Sequence, residues 1–219
     1  MMSVLFDKTS IKGMELKNRL VRSATYEGMA DANGFPTKQL FNLYERLAKG
    51  CVGLIVTGHS YISENGKTDN MLGINDDQYI QRYRELVDHV HANGAKIAMQ
   101  INHCGRQTTK DMTGTQTIAP SAIRDKMLLD KPRAMTEKEI ERAITSFGKG
   151  AKMEDVIKKS DADYISLCRA LIVNPGFPEK IAGGSREPSK CIHCNLCVCN
   201  MYTSPLRCFH GNKEKLMQN

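Results

Sequence analysis

The sequence of 219 residues has no tryptophan, and aromatics make up only 6% of it. Base-stacking side chains are therefore scarce, and nucleic-acid binding is not expected even at a net charge of +7. Long apolar runs are missing too: stretches such as 52–56 fall far short of the ~20 residues that cross a bilayer, so no membrane association is expected. Asp7, Lys8 and Lys12 interrupt the start of the chain, which argues against a secretory leader and for a cytoplasmic location. Composition disfavours disorder, since 41% hydrophobic and 25% charged residues suit one globular core, with room for a small appendage. No dense basic tract exists either, so the charge favours anionic partners such as phosphate esters without choosing among them.

Cysteines are not scattered as a disulfide framework would have them. Cys51, Cys104 and Cys168 stand alone in apolar or strand-like contexts, whereas Cys191, Cys194, Cys197, Cys199 and Cys208 crowd one C-terminal segment. In a chain without a leader, that cluster suits a metal or iron–sulfur site better than disulfides.

What the sequence does contain is an alternation of apolar runs with helix-period runs, the pattern of βα units around a parallel sheet. Strands are expected at 18–25, 52–57, 95–102 and 162–168. A helix opening at Thr37 carries Leu40, Phe41, Tyr44, Leu47 and Ala48 on one face and closes at Gly50. A second starts at Asp76 or Asp77, carries Tyr79, Ile80, Tyr83, Leu86, Val87 and Val90, and ends before Gly94. Residues 104–135 form a polar stretch longer than an ordinary connection, which points to a functional loop. Thr136 and Glu139 then make a capping box ahead of Ile140, Ala143, Ile144 and Phe147. A short helical run over 153–159 leads straight into the last strand. With about four βα-type strands, the chain cannot by itself close a barrel that needs eight.

Several blocks, in order, resemble one family: KNRLVRSAT (17–25), GCVGLIVTGHSYI (50–62), HANGAKIAMQINHCGR (91–106), APSAI (119–123), MTEKEI (135–140), ADYISLCRALIVNPGFPEKI (162–181) and CIHCNLC (191–197). The chain resembles the old yellow enzyme, or NADH:flavin oxidoreductase, family, and is closest to its dienoyl-CoA reductase-like branch. The resemblance implies a TIM-barrel α/β fold that binds FMN at the carboxyl ends of its strands. It also implies hydride transfer from NAD(P)H through the flavin to an activated alkene, an enone or enoyl thioester. In this chain the fold would be a partial (β/α) barrel of about four of the eight units, over residues 1–183, followed by a cysteine-rich segment, 184–219.

By the same resemblance, Ser23, Ala24 and Thr25 line the flavin ring, Gly58 lets the flavin approach the backbone, and Gln100 bonds its pyrimidine edge. Arg169, with the backbone of Cys168, holds the phosphate; a guanidinium fork suits that anion. Tyr26 stands where some members carry a flavin-tuning cysteine, so it is a candidate catalytic phenol or a packed tyrosine. His103 and Arg106 read as loop anchors. Taken singly, all of these are also ordinary strand-end or turn residues.

Between Phe147 and Met153 the sequence jumps from the helix after the third strand to the helix before the last. The middle strands are skipped, and with them the family's substrate-binding histidines, proton-donating tyrosine and glycine-rich phosphate loop. Two open sheet edges would remain, which a homo-oligomer could cover. The spacing C-x2-C-x2-C-x10-C of Cys191, Cys194, Cys197 and Cys208 resembles that branch's [4Fe–4S] motif, with one residue fewer in each of the last two gaps. An iron–sulfur cluster, zinc and free thiols all remain open. Two readings are open: an FMN-dependent oxidoreductase impaired by an internal deletion, or a non-catalytic truncated member serving as a structural, subunit or metal-binding module.

Overall fold

The computed structural model describes residues 4–125, 128, 130–150, 165–167, 171–172, 174–183, 185, 190 and 205–208. A short hairpin of β1 (Thr9–Ile11) and β2 (Met14–Leu16) precedes β3 (Leu20–Arg22). Next come α1 (Lys38–Lys49), β4 (Leu54–Tyr61), β5 (Leu72–Gly73), α2 (Ile80–Ala92) and β6 (Lys96–Asn102). The later elements are α3 (Lys110–Thr113), β7 (Ile118–Ala119), β8 (Arg133–Ala134), α4 (Glu137–Gly150), β9 (Ile165–Leu167) and α5 (Phe177–Ala182). No helix of the described residues is long and apolar enough to cross a membrane.

The main sheet is parallel. β3 pairs with β4 on one side and β9 on the other, and β6 runs along β4 from Leu54↔Lys96 to Tyr61↔Asn102. The last strand in sequence therefore lies beside the first long-range strand. β5 adds a short parallel pairing at the carboxyl end of β4.

Asn18 sets the seam between β3 and β4. Its Oδ1 accepts the Leu20 N–H at 3.0 Å and its Nδ2 donates to the Cys51 carbonyl at 2.7 Å. These bonds account for a shorter strand than the expected 18–25: Asn18 turns its polar ends to the connection, and the chain leaves the ladder after Arg22. The second expected strand is longer than 52–57, because a bulge lets β4 continue to Tyr61.

The core lies between the sheet and the α1–α2 layer. Leu40, Leu43, Tyr44, Leu47 and Ala48 of α1 pack with Val52, Ile55, Leu86, Val90, Ala95 and Leu171, all buried. Each large apolar side chain buried in this way contributes about 1.5–3 kcal/mol. Thr37 starts α1 without capping it through its side chain; its hydroxyl donates instead to the Met29 carbonyl at 2.6 Å. Asp76 does cap, accepting the Gln78 N–H at 2.9 Å. Of the expected buried face of α2, Leu86 and Val90 are inside and Ile80 is exposed.

The long polar stretch has structure of its own: α3 and the parallel β7–β8 pair, with Thr108 and Thr117 buried beneath it. The capping box at the start of α4 forms as expected, with Glu139 N–H to Thr136 Oγ1 at 3.3 Å and Thr136 N–H to Glu139 Oε2 at 2.8 Å. Arg133 adds two bonds to the same carboxylate, at 2.6 and 2.9 Å, and these hydrogen bonds, with the Thr136 donors, pull it down to about 2. The apolar stripe of α4 finds no core: Ile140, Ile144 and Phe147 are 40%, 65% and 36% exposed.

A charged cluster lies under the sheet's carboxyl end. Arg22 and Glu27 are both buried, with Nη1 and Oε1 2.8 Å apart. The same oxygen accepts the Tyr44 hydroxyl at 2.7 Å and the Gly58 N–H at 3.2 Å, and Arg22 Nη1 also donates to the Val56 carbonyl at 2.8 Å. Burial, reinforced by the Glu27 carboxylate, holds the Tyr44 phenol well above its usual range, so it stays a donor. A Cβ at residue 58 would stand 2.0 Å from Glu27 Oε2, so only glycine fits beside the carboxylate. Glu27→Ala should cost about 3–5 kcal/mol by leaving a buried guanidinium unpaired, and Gly58→Ala about 1–3 kcal/mol through overpacking. Urea unfolding of both variants checks this ranking.

Candidate active site

The bulge in β4 decides which side chains face the open side of the sheet's carboxyl end. The register runs Val56↔Ala98 and then His59↔Gln100, so Thr57 and Gly58 together oppose Met99. Strict alternation would have placed residues 56, 58 and 60 on one face. With one residue inserted, the face passes from Val56 to His59, and Gly58 turns to the Glu27 carboxylate. Thr57, fully buried, holds the irregularity: its hydroxyl donates to the Gly58 carbonyl at 2.7 Å and accepts the Gln100 N–H at 3.2 Å.

His59 and Gln100 are register partners and so share a face. The Gln100 side chain is exposed, and an amide offers a heterocycle both a donor and an acceptor. Tyr26 stands edge-on to His59, ring centroids 4.8 Å apart at 89°. Its hydroxyl donates to the Asp69 carbonyl. Burial lowers the His59 imidazole below its ordinary value, so it is neutral near pH 7. Ser23, Ala24 and Thr25 form the half-buried segment leaving β3, with the Thr25 hydroxyl donating to the Ser23 carbonyl at 3.0 Å.

Ser23 to Tyr26, His59 and Gln100 thus gather at one end of the sheet, while Gly58 lies beneath them in contact with Glu27. Neither Glu27 nor His59 was anticipated from the sequence. An arginine inside an otherwise apolar strand needs an acidic partner, and that requirement points to Glu27; the bulge that turns His59 onto the Gln100 face leaves no such mark. Of the expected phosphate-holding pair, both Cys168 and Arg169 lie outside the described residues. So do Cys191, Cys194 and Cys197, whereas Cys208 is a half-buried free thiol. No group of three or more potential metal ligands occurs among the described residues. The C-terminal segment does touch the site: the Leu206 N–H donates to the Glu27 carbonyl at 2.7 Å.

His103 anchors its loop. Its Nδ1 accepts the Gly105 N–H at 3.0 Å, which leaves the proton on Nε2, 3.3 Å from Asn65 Oδ1. Its ring fills the space a Cβ at Gly66 would need, at 2.4 Å, and Arg106 is exposed beside it. A cavity of about 680 Å³ lies just past the carboxyl ends of β4 and β6, bounded by Ser63, Asn65, His103 and α4, and another of about 580 Å³ is bounded by Met99, Tyr83, Val87 and Ser146.

Residues 4–153 match the family model of the NADH:flavin oxidoreductase / NADH oxidase family. The chain belongs to this family. It is 37% identical over 151 residues to a metal reductase of Desulforamulus reducens, covering 69% of this chain and 22% of that protein. An NADPH dehydrogenase of Halalkalibacterium halodurans is 37% identical over 166 residues, covering 74% and 47%. Among solved structures, the old yellow enzyme homologue of Zymomonas mobilis superimposes with a TM-score of 0.59 at 26% identity, over 68% of this chain and 44% of that one. This NADH:flavin oxidoreductase chain thus spans less than half the length of these relatives. A flavin's ring end fits the exposed Gln100 amide and neighbouring His59. The close approach expected at Gly58 is taken up by the chain's own Glu27.

Burial lowers both His59 and His103 from 6.5, so the folded protein binds fewer protons than the unfolded chain just below that pH. Stability should therefore fall as the pH drops below about 6.5, before the Glu139 carboxylate begins to protonate. Urea midpoints between pH 7.5 and 5 should show the decline, and His59→Asn should flatten part of it.

Proposed function

We propose that the chain is an FMN-dependent oxidoreductase of the family's ene-reductase type, with turnover reduced by the absence of the middle strands. The observation that carries this reading is the exposed Gln100 amide beside neutral His59 at the carboxyl end of a parallel sheet, the end that carries active sites in barrels of this kind. When bound, FMN supplies the hydride relay between NAD(P)H and a small electrophilic alkene, an enone or enoyl thioester. Gln100 would hold the pyrimidine edge, and Ser23, Ala24 and Thr25 would line the ring. His59, neutral and seated against Tyr26, would contact the ring face in the position expected of residue 58. Tyr26 would keep a phenol at the rim. Cys168 and Arg169 would receive the phosphate.

In this reading residues 1–183 form the flavin-binding part and 184–219 a cysteine segment in which Cys191, Cys194, Cys197 and Cys208 take a [4Fe–4S] cluster. The contact of Leu206 with Glu27 favours a segment that reports to the flavin site rather than an independent tail. The alternative, a non-catalytic metal-binding module, predicts metal without flavin.

Anaerobically purified protein should show yellow flavin absorption, with FMN released on heating. Gln100→Ala should weaken FMN binding about tenfold in a fluorescence titration, the loss of roughly one hydrogen-bonded edge. A folded protein without measurable FMN affinity would overturn the proposal, and a brown, flavin-free sample would support the alternative.

A further inference from the structure

Among the described residues, the two outer strands of the sheet each have an unpaired edge and one helix face is exposed. β6 is paired only with β4, and β9 only with β3, among the described residues. The side of β6 that faces away from β4 can be identified. Gln100 N–H and Asn102 C=O both point to the β4 side, the first to Thr57 Oγ1 and the second to Ile62 N–H at 3.2 Å. Backbone groups alternate along a strand, so the Ile101 amide points to the open edge. Beside that edge, α4 exposes Ile140, Ile144 and Phe147 at i, i+4 and i+7, and the cavity lined by Met99, Val87 and Ser146 opens beneath it. An apolar stripe of this kind is what a barrel helix lays over the strand next after its own.

We propose that a second copy of this chain occupies this surface, with the open edge of β6 pairing with the open edge of β9 in the partner and closing an eight-stranded barrel around a two-fold axis. The parallel sense of β9, β3, β4 and β6 requires a partner whose strands run the same way, which a rotation about the barrel axis supplies. That rotation makes both β6–β9 seams equivalent, so the assembly closes as an isologous dimer. The chain covers 47% of the length of its NADPH dehydrogenase relative, so two copies amount to about one relative. The α4 stripe of each copy then covers the seam. The closed mouth carries His59 and Gln100 from both copies, so the site described above is complete only in the dimer. The proposal rests on reading the chain as a barrel segment, but not on flavin binding.

The test is the mass of the full chain without added flavin, by light scattering after size exclusion, at tens of micromolar. The expected result is twice the chain's 24.5 kDa. Ile144→Asp, at a position 65% exposed, should leave the far-UV circular dichroism unchanged and give a monomer. Ile101→Pro removes an amide that β4 does not use and should also give a monomer. If the aspartate variant does not fold, the proline variant decides. A monomeric wild type, a larger species in which copies add without closing, or a dimer that survives in a folded variant would each overturn the proposal. Because the mass is read whatever the flavin content of the sample, failure of the FMN reading leaves this result unaffected.

Discussion

The buried pairing of Arg22 with Glu27 is the constraint on which the candidate site depends. Two charges removed from water are tolerated only when their remaining donors and acceptors are satisfied. Here Tyr44 and the Gly58 amide donate to Glu27, and the Val56 and Thr25 carbonyls accept from Arg22. With Arg22 on β3, Tyr44 on α1 and residues 56 and 58 on β4, the cluster ties the first βα unit to the next strand. It also dictates the residue at position 58, where the carboxylate leaves no room for a side chain.

The cluster and the bulge are one device. Glu27 draws the Gly58 amide down, Thr57 bridges to β6, and the inserted residue turns His59 onto the face that carries Gln100. Bulges bend a strand and re-aim the side chains beyond them, and this one sets the surface a cofactor ring would meet. Backbone contact from Leu206 to Glu27 brings residues 205–208 to the same place. A change at the ion pair would therefore reach the strand ends and the C-terminal segment together.

Outside the core the same chain is poorly satisfied. α4 is well started, with a reciprocal capping box and a doubly bonded Arg133, yet its apolar stripe faces solvent. Local rules built the helix, and among the described residues no strand of the sheet buries its apolar stripe. An edge strand with an outward-pointing amide beside an exposed apolar stripe is a surface that proteins ordinarily pair or protect.

Much of the architecture was legible in the sequence, because apolar periodicity and end signals are local. The β–α alternation, the α2 and α4 starts and the family itself came from residue order. Element ends were less legible: Asn18 and the bulge moved the limits of β3 and β4 through bonds to distant residues. Site residues named from the resemblance, such as Gln100 and Ser23 to Thr25, do come together at the sheet's end, whereas Glu27 and His59 emerged only from packing. By itself the sequence determined the principal segments, β3, α1, β4, α2, β6 and α4, and the family they belong to, since those depend on side-chain order along the chain. Tertiary structure alone decided that a carboxylate fills the space beside Gly58 and that His59 shares the Gln100 face, because both depend on one extra residue in a ladder whose partner strand lies some forty positions away.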